Sequence, residues 1–116
     1  MRNKNSNVKV VKKKLNKCIG ICRTYNDVQC SYADILDNDP SIKEIKCNVL
    51  LDDFLIEGNY TTDFLCIKIN GDMLVRECVY RDKLTKPLNI KLLDLSRVYW
   101  LRRGITDWGI VVNEEK

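Results

Sequence analysis

Two short apolar runs, at 62–69 and 73–80, flank an Asn-Gly pair at 70–71. An Asn-Gly pair between such runs is the strongest short-range signal for a β-hairpin, so we predict that the two runs pair as antiparallel strands. The first run has Asp63 at its start, and the second carries Glu77 in its middle. Because acidic residues are depleted in strand interiors, two of them in an otherwise apolar hairpin require an explanation.

The register of this hairpin decides whether the two acids can meet. A two-residue loop would pair Ile69 with Asp72, and this pairing places Asp63 and Glu77 on opposite faces of the sheet. A three-residue or bulged turn would instead pair Asp63 near Val79, with Glu77 diagonal to it on the same face. We predict the three-residue or bulged turn, since only that register lets the acids share a site.

The rest of the pattern predicts a small α/β fold. Asn26 and Asp27 suit the start of a first helix, and Thr85 suits the start of a second, with Pro87 in its first turn. The predicted elements are a short strand at 18–25, a helix from about 27 to 37, a strand at 41–51, a turn and short strand at 52–60, the hairpin, a helix from about 87 to 103 and a strand at 105–113. The last strand follows a helical crossover and should lie parallel to a neighbour. We therefore expect a mixed sheet, an antiparallel meander plus one parallel strand, flanked by helices.

Each helix is predicted to bury one apolar face. The face of the first helix consists of Val28, Tyr32, Ile35 and Leu36. The face of the second consists of Leu88, Leu92, Leu95 and Tyr99, widened by Val98 and Leu101.

Composition excludes several classes of protein. The chain has 116 residues, 45% of them apolar and 31% charged, which is typical of one globular domain. It contains no histidine, and this excludes every mechanism that needs an imidazole base. No apolar run is long enough to span a membrane and the N-terminus lacks a secretory h-region, so we expect a cytoplasmic protein. The six cysteines are then expected to be free thiols, with no zinc site.

Positive charge is concentrated at the N-terminus. Residues 1–23 contain eight Lys or Arg and no acid, whereas the remainder carries twelve bases against sixteen acids. We divide the chain into a basic arm, 1–17, and a single domain, 18–116. The arm suggests non-specific contact with DNA phosphates, and a solubilising tail is the alternative. The candidate DNA-binding residues are Lys9, Lys12, Lys13, Lys14, Lys17, Arg102 and Arg103.

Four segments resemble the N-terminal catalytic domain of TnsA, the endonuclease subunit of heteromeric transposases. The segment "NYTTDFL" at 59–65 resembles the family's "YTPDFL" strand, and "ECV" at 77–79 stands in the place of "EVK" or "QVK". The segment "ILDNDPSIKEI" at 35–45 resembles "LLEFDPDVVSY", and 83–112 resembles the helix and strand that close the domain. The resemblance covers about 25–112 and implies a small restriction-endonuclease-like fold of the PD-(D/E)XK type.

The resemblance also implies chemistry. In that family Mg²⁺ is held by carboxylates, and it activates water beside the attacked phosphate. Asp63 matches the metal-binding Asp, and Glu77 matches the first position of "E-x-K". Gln29 falls where the family has a helix Glu, Val79 falls where it has the Lys, and Lys83 is a possible substitute for that Lys. Without the resemblance, we would expect Asp63 to cap the strand start and Glu77 to pair with Arg76, Arg81 or Lys83 at a sheet end.

Two functions are therefore expected. The first is a catalytically impaired nuclease-fold module of a mobile element or phage that binds DNA or a protein partner. The second is an active, metal-dependent DNA endonuclease that works with a transposase or another protein of a nuclease complex. In both, Mg²⁺ binding is expected to be weak, because two of the four family positions are replaced.

Overall fold

The computed structural model describes residues 10–52 and 60–113. Two helices, six strands and one short 3₁₀ helix occur in these residues. In chain order they are β1 (Val11–Lys13), β2 (Cys22–Thr24), α1 (Asp27–Asp37), β3 (Ile42–Leu50), β4 (Thr61–Lys68), β5 (Met73–Cys78), a 3₁₀ helix (Arg81–Lys83), α2 (Pro87–Leu101) and β6 (Asp107–Val111). The turn and short strand predicted at 52–60 lie almost entirely outside the described residues.

The four longer strands form one mixed sheet in the order β3-β4-β5-β6. The pairs β3–β4 and β4–β5 are antiparallel, and β5–β6 is parallel, with α2 as the crossover. The predicted fold class is confirmed: an antiparallel meander, one parallel strand after a helix, and helices against the sheet. Strands β1 and β2 form a separate two-stranded antiparallel sheet.

Alternating side chains of β4 separate two apolar clusters. Phe64 and Cys66 pack with residues of α1, whereas Leu65 packs with residues of α2. Because successive strand residues point to opposite faces, α1 and α2 cover opposite faces of the sheet. The sheet is thus the middle layer, and its central strands are covered on both sides.

The β4–β5 hairpin has a three-residue turn, as predicted. Ile67 pairs with Met73, and the amide of Gly71 donates to the Lys68 carbonyl oxygen at 2.9 Å. Gly71 has a φ of +94°, a left-handed conformation that costs glycine little. The predicted pairing of Asp63 with Val79 is wrong: the register, carried one step beyond the last ladder pair, sets Asp63 opposite Glu77.

Both helix faces differ from the prediction. In α2 the buried residues are Leu92, Leu93, Ser96 and Trp100. Leu88 is 50% exposed and Leu101 is 48% exposed. Apolar residues surround most of α2, so spacing alone could not choose a face, and the polar Ser96 lies at the centre of the true one. The helix begins after Lys86, which makes no side-chain capping bond, rather than at Thr85.

The first helix buries Val28 and Leu36 as predicted, and Tyr32 packs against the same cluster, so its face differs from the prediction at fewer positions. Ile35 is 59% exposed, whereas Gln29 and Ala33 are fully buried. Gln29 is polar and was not counted toward the apolar face, although its amide group is hydrogen-bonded inside the protein. The predicted cap is confirmed, since the Asn26 side chain accepts a hydrogen bond from the Gln29 amide.

Residues 10–17, which we assigned to the basic arm, pack against the body. Leu15 is buried in the cluster on the α1 side. The amides of Asn16 and Lys17 donate to the Asp37 carboxylate at 3.1 and 3.0 Å. The Ile45 amide donates to the Lys17 carbonyl oxygen at 2.9 Å, which attaches this segment to β3.

The α2 face can be tested by truncating one leucine inside it and one outside. We expect Leu92→Ala to lower the free energy of unfolding by about 2–5 kcal/mol, because a fully buried leucine is replaced by a cavity. Leu88→Ala, on the predicted but exposed position, should change it by no more than about 0.5 kcal/mol. Urea unfolding measures both, and a larger loss for Leu88→Ala would contradict the observed face.

Candidate functional site

Asp63 and Glu77 lie together where the β4–β5 ladder ends. Both are fully buried. The Asp63 amide donates to Glu77 Oε1 at 3.1 Å, and the Cys78 amide donates to Asp63 Oδ2 at 2.7 Å. The main-chain ladder between β4 and β5 ends at the Phe64–Arg76 pair. Beyond it, the two carboxylates accept hydrogen bonds from main-chain amides of the opposite strand, as carbonyl groups do within the ladder. The structure brings together the two acids that the sequence selected.

The Glu77 carboxylate is also the centre of a buried side-chain network. Its Oε2 accepts hydrogen bonds from Thr62 Oγ1 at 2.9 Å and from Ser96 Oγ at 2.7 Å. Thr62 Oγ1 accepts from the Trp100 indole at 2.8 Å, and Ser96 Oγ accepts from the Trp108 indole at 3.1 Å. An indole N–H can only donate a hydrogen bond, so each hydroxyl oxygen is the acceptor for its indole. The O–H of each hydroxyl is then the donor in its hydrogen bond to Glu77.

Sequence reasoning missed this network. Thr62 and Ser96 were treated as ordinary positions, and the paired acids were expected to face a metal or surface cations. The available signal was weak: a serine lies in the middle of the second helix between Leu95 and Arg97, and the chain has two tryptophans, both after it in sequence. Arg76, one of the cations considered for Glu77, instead donates to Asp107 Oδ1 at 2.8 Å.

Gln29 has a structural role at the start of α1. Its Oε1 accepts from the Tyr25 amide at 2.9 Å, and its Nε2 donates to Asn48 Oδ1 at 2.9 Å. Asn48 has a φ of +54° and donates through Nδ2 to the Arg23 carbonyl oxygen at 2.7 Å. This series of side-chain hydrogen bonds joins the start of α1 to an irregular position in β3 and to β2. A glutamate at 29 could not donate to Asn48.

Val79 and Lys83 lie outside β5. Val79 is 6% exposed, and its amide donates to the Val111 carbonyl oxygen at 3.0 Å, which extends the parallel pairing by one residue. Lys83 is exposed at the end of the 3₁₀ helix. Position 79, which the resemblance matches to the family's lysine, therefore holds a buried apolar side chain.

Most of the oxygen positions of Glu77 are already used by donors inside the protein. A carboxylate has about four lone-pair positions, and Glu77 uses three of them for Asp63, Thr62 and Ser96. A Mg²⁺ ion binds through such oxygens and keeps several waters, so it would have to compete with these donors. Within 10–52 and 60–113, no group of three or more His, Cys, Asp or Glu residues is arranged to hold a metal ion.

The basic residues of the N-terminal segment divide into two sets. Lys13 is largely buried and contacts Asp34 Oδ2 at 2.6 Å, and Lys17 Nζ donates to the Asp39 carbonyl oxygen. Burial alone would lower the pKa of Lys13, but the Asp34 carboxylate and Cys30 outweigh it and hold the Lys13 pKa above its usual value. Lys12 and Lys14 are exposed. Lys9 lies outside the described residues.

The two arginines at the end of α2 also differ. The Arg103 guanidinium lies 3.5 Å from the centre of the Tyr99 ring and donates to the Tyr99 carbonyl oxygen at 3.1 Å. Arg102 is the exposed C-cap residue of the helix. Both stay available to solvent, although Arg103 is held in place by its stacking on Tyr99.

Comparisons with known proteins do not identify a family. No protein-family model matches the chain, and the search of curated proteins found no significant match. In the part of the chain that is described, no helix is long and apolar enough to cross a membrane. The fold and site therefore define a small α/β protein with a mixed sheet and a buried acid pair, a plan compatible with a small nuclease-like fold.

Replacing the Glu77 carboxylate by an amide tests the network. In Glu77→Gln, the amide NH₂ must face either the Asp63 amide or the two hydroxyls, all of which are donors, so we expect a loss of about 1–3 kcal/mol in the free energy of unfolding. Glu44→Gln on β3 is the matched control, because Glu44 is partly exposed and its carboxylate is 4.0 Å from Lys46. Urea unfolding should show a change for the control of no more than about 0.5 kcal/mol. Equal losses for the two variants would contradict the network.

Proposed function

We propose that the protein is a nuclease-fold module that binds DNA without cutting it. The observation that carries the proposal is the state of the acid pair: Asp63 and Glu77 are fully buried and accept hydrogen bonds from inside the protein. The resemblance to the TnsA catalytic domain supplies the link to nucleases and to DNA. The internal bonds account for the two acids without a metal.

Three features support the lack of cleavage. The Glu77 oxygens are occupied by Thr62, Ser96 and the Asp63 amide. Val79 brings no positive charge to a phosphate, and loss of one such stabilising group commonly costs about 10²–10³ in rate. The amide of Gln29 is bonded to Tyr25 and Asn48, so this side chain supports the fold rather than a metal.

The exposed cations of the β1–β2 sheet support DNA binding. Lys12 and Arg23 are exposed and belong to paired strands, and Lys14 directly follows β1. Exposed cations that contact phosphates release counterions, so binding weakens as salt is raised. Lys13 and Lys17 contribute less to this surface, because Asp34 and the Asp39 carbonyl group already engage them.

Salt dependence tests the DNA-binding surface. We expect weak, sequence-independent binding to duplex DNA, and the double variant Lys12→Ala with Lys14→Ala should reduce the slope of log K against log salt by about 2. Lys86→Ala with Lys91→Ala is the matched control, because it removes the same charge from the start of α2, on the opposite side of the sheet. Fluorescence anisotropy over a salt series gives the slopes. Equal flattening by both pairs, or no binding at low salt, would overturn the assigned surface.

A plasmid-nicking assay tests the absence of cleavage. We expect no nicking by the wild-type protein with Mg²⁺ or Mn²⁺. Asp63→Asn keeps an oxygen that can accept from the Cys78 amide, and Asp72→Asn in the turn serves as the exposed control. A different result would be nicking by the wild type that is lost in Asp63→Asn and kept in Asp72→Asn. That result would favour the alternative function, an active endonuclease that works with a transposase or another nuclease-complex protein.

Restoring the family's glutamate at position 29 and its lysine at position 79 is a poor test of this proposal. In a Gln29→Glu and Val79→Lys variant, the new carboxylate would face the Asn48 oxygen and the new lysine would start from a buried position. Both changes place unpaired polar groups inside the protein, which is costly. An inactive double variant would therefore be informative only if it is first shown to be folded.

A further inference from the structure

We propose that Cys18 and Cys47 form an oxidisable thiol pair, which closes to a disulfide by reaction with a low-molecular-weight disulfide such as oxidised glutathione. The six cysteines are all free thiols in the structure. Cys18 Sγ and Cys47 Sγ are 3.9 Å apart although the residues are 29 positions apart in sequence. The pair is independent of the acid pair and does not rest on the proposed DNA binding.

The main chain holds the two cysteines next to each other. Cys18 lies in the connection between β1 and β2, and Cys47 lies in β3. The Ile45 amide donates to the Lys17 carbonyl oxygen at 2.9 Å, so the residue before Cys18 is fastened beside β3. A disulfide bond is about 2.05 Å long, so the sulfurs need to approach by about 2 Å. Cys18 lies outside any helix or strand, so we expect its loop to make this movement.

A third thiol contacts the pair but is less accessible. Cys22 lies close enough to Cys47 for each thiol to shift the pKa of the other. Cys22 is fully buried, whereas Cys18 and Cys47 are partly exposed. A dissolved oxidant therefore reaches Cys18 or Cys47 first, and of these two only Cys18 lies outside a helix or strand.

The pKa values of Cys18 and Cys47 are raised, and this makes the reaction pH-dependent, whereas the interaction with Cys47 lowers the pKa of the buried Cys22. Burial raises the pKa of Cys18, the hydrogen bond with Cys47 opposes it, and Cys22, Asp37 and Glu44 add to the rise. The hydrogen bond with Cys22 and burial raise the pKa of Cys47. Because the thiolate is the nucleophile, the rate should rise about tenfold per pH unit below the Cys18 pKa.

The exchange balances in two steps. The Cys18 thiolate attacks one sulfur of oxidised glutathione, the glutathione S–S bond breaks, and one glutathione thiolate leaves with the bonding electron pair. Cys47, as thiolate, then attacks the Cys18 sulfur of the mixed disulfide and releases the second glutathione thiolate. Two protein thiols are oxidised, one oxidised glutathione is reduced to two thiols, and these take up the two protons.

Peptide mapping of the full chain tests the pair. The reduced, folded protein is incubated with oxidised glutathione, quenched by alkylation, digested and examined by mass spectrometry. We expect a Cys18–Cys47 peptide as the main product, formed about tenfold faster at pH 8 than at pH 7. In Cys47→Ser, glutathione should instead remain on Cys18, because the thiol that would displace it is missing.

Cys30→Ser is the matched control, because Cys30 is also partly exposed but its sulfur lies 3.6 Å from Lys13 Nζ, outside the pair. This variant should form the Cys18–Cys47 bridge as the wild type does. The proposal is overturned if the wild type keeps glutathione on Cys18 without forming the bridge. A Cys22–Cys47 bridge as the main product, or loss of the bridge in Cys30→Ser, would also overturn it.

Discussion

The buried carboxylate of Glu77 fixes how the second helix lies on the sheet. Glu77 belongs to β5, and its donors come from β4, through Thr62 and the Asp63 amide, and from α2, through Ser96. A buried carboxylate without such donors would be strongly unfavourable, so these bonds are obligatory once the residue is inside. Since α2 is also the crossover to β6, the position of the parallel strand depends on the same group.

The parts of the fold that could be predicted were those determined by local chemistry. The Asn-Gly pair at 70–71, the Asn26 cap and the crossover rule gave the hairpin, the first helix and the parallel strand, and all three are present. The helix faces were wrong where the buried residue is polar. Ser96 and Gln29 are inside because their partners, Glu77 and Asn48, are brought to them by the tertiary fold, and apolar spacing contains no information about such partners.

The candidate site was predictable in the same limited way. Spacing and resemblance selected Asp63 and Glu77, and the three-residue turn sets them opposite each other. Their hydrogen-bond donors were not predictable, because Thr62, Ser96 and the two indoles become neighbours only when the helix packs on the sheet. In the proposed function, the acids that a nuclease would use for chemistry are used to satisfy main-chain amides and to position a helix.

The arrangement of the two indole groups has a practical consequence. Trp100 and Trp108 are the whole tryptophan content of the chain, and each donates to a hydroxyl that donates in turn to Glu77. The tryptophan fluorescence of this protein therefore originates from two indoles that are each one hydroxyl group away from the same carboxylate. The unmodified chain thus carries its own optical probe of the acid pair, and any event that rearranges this pair can be followed without an attached label.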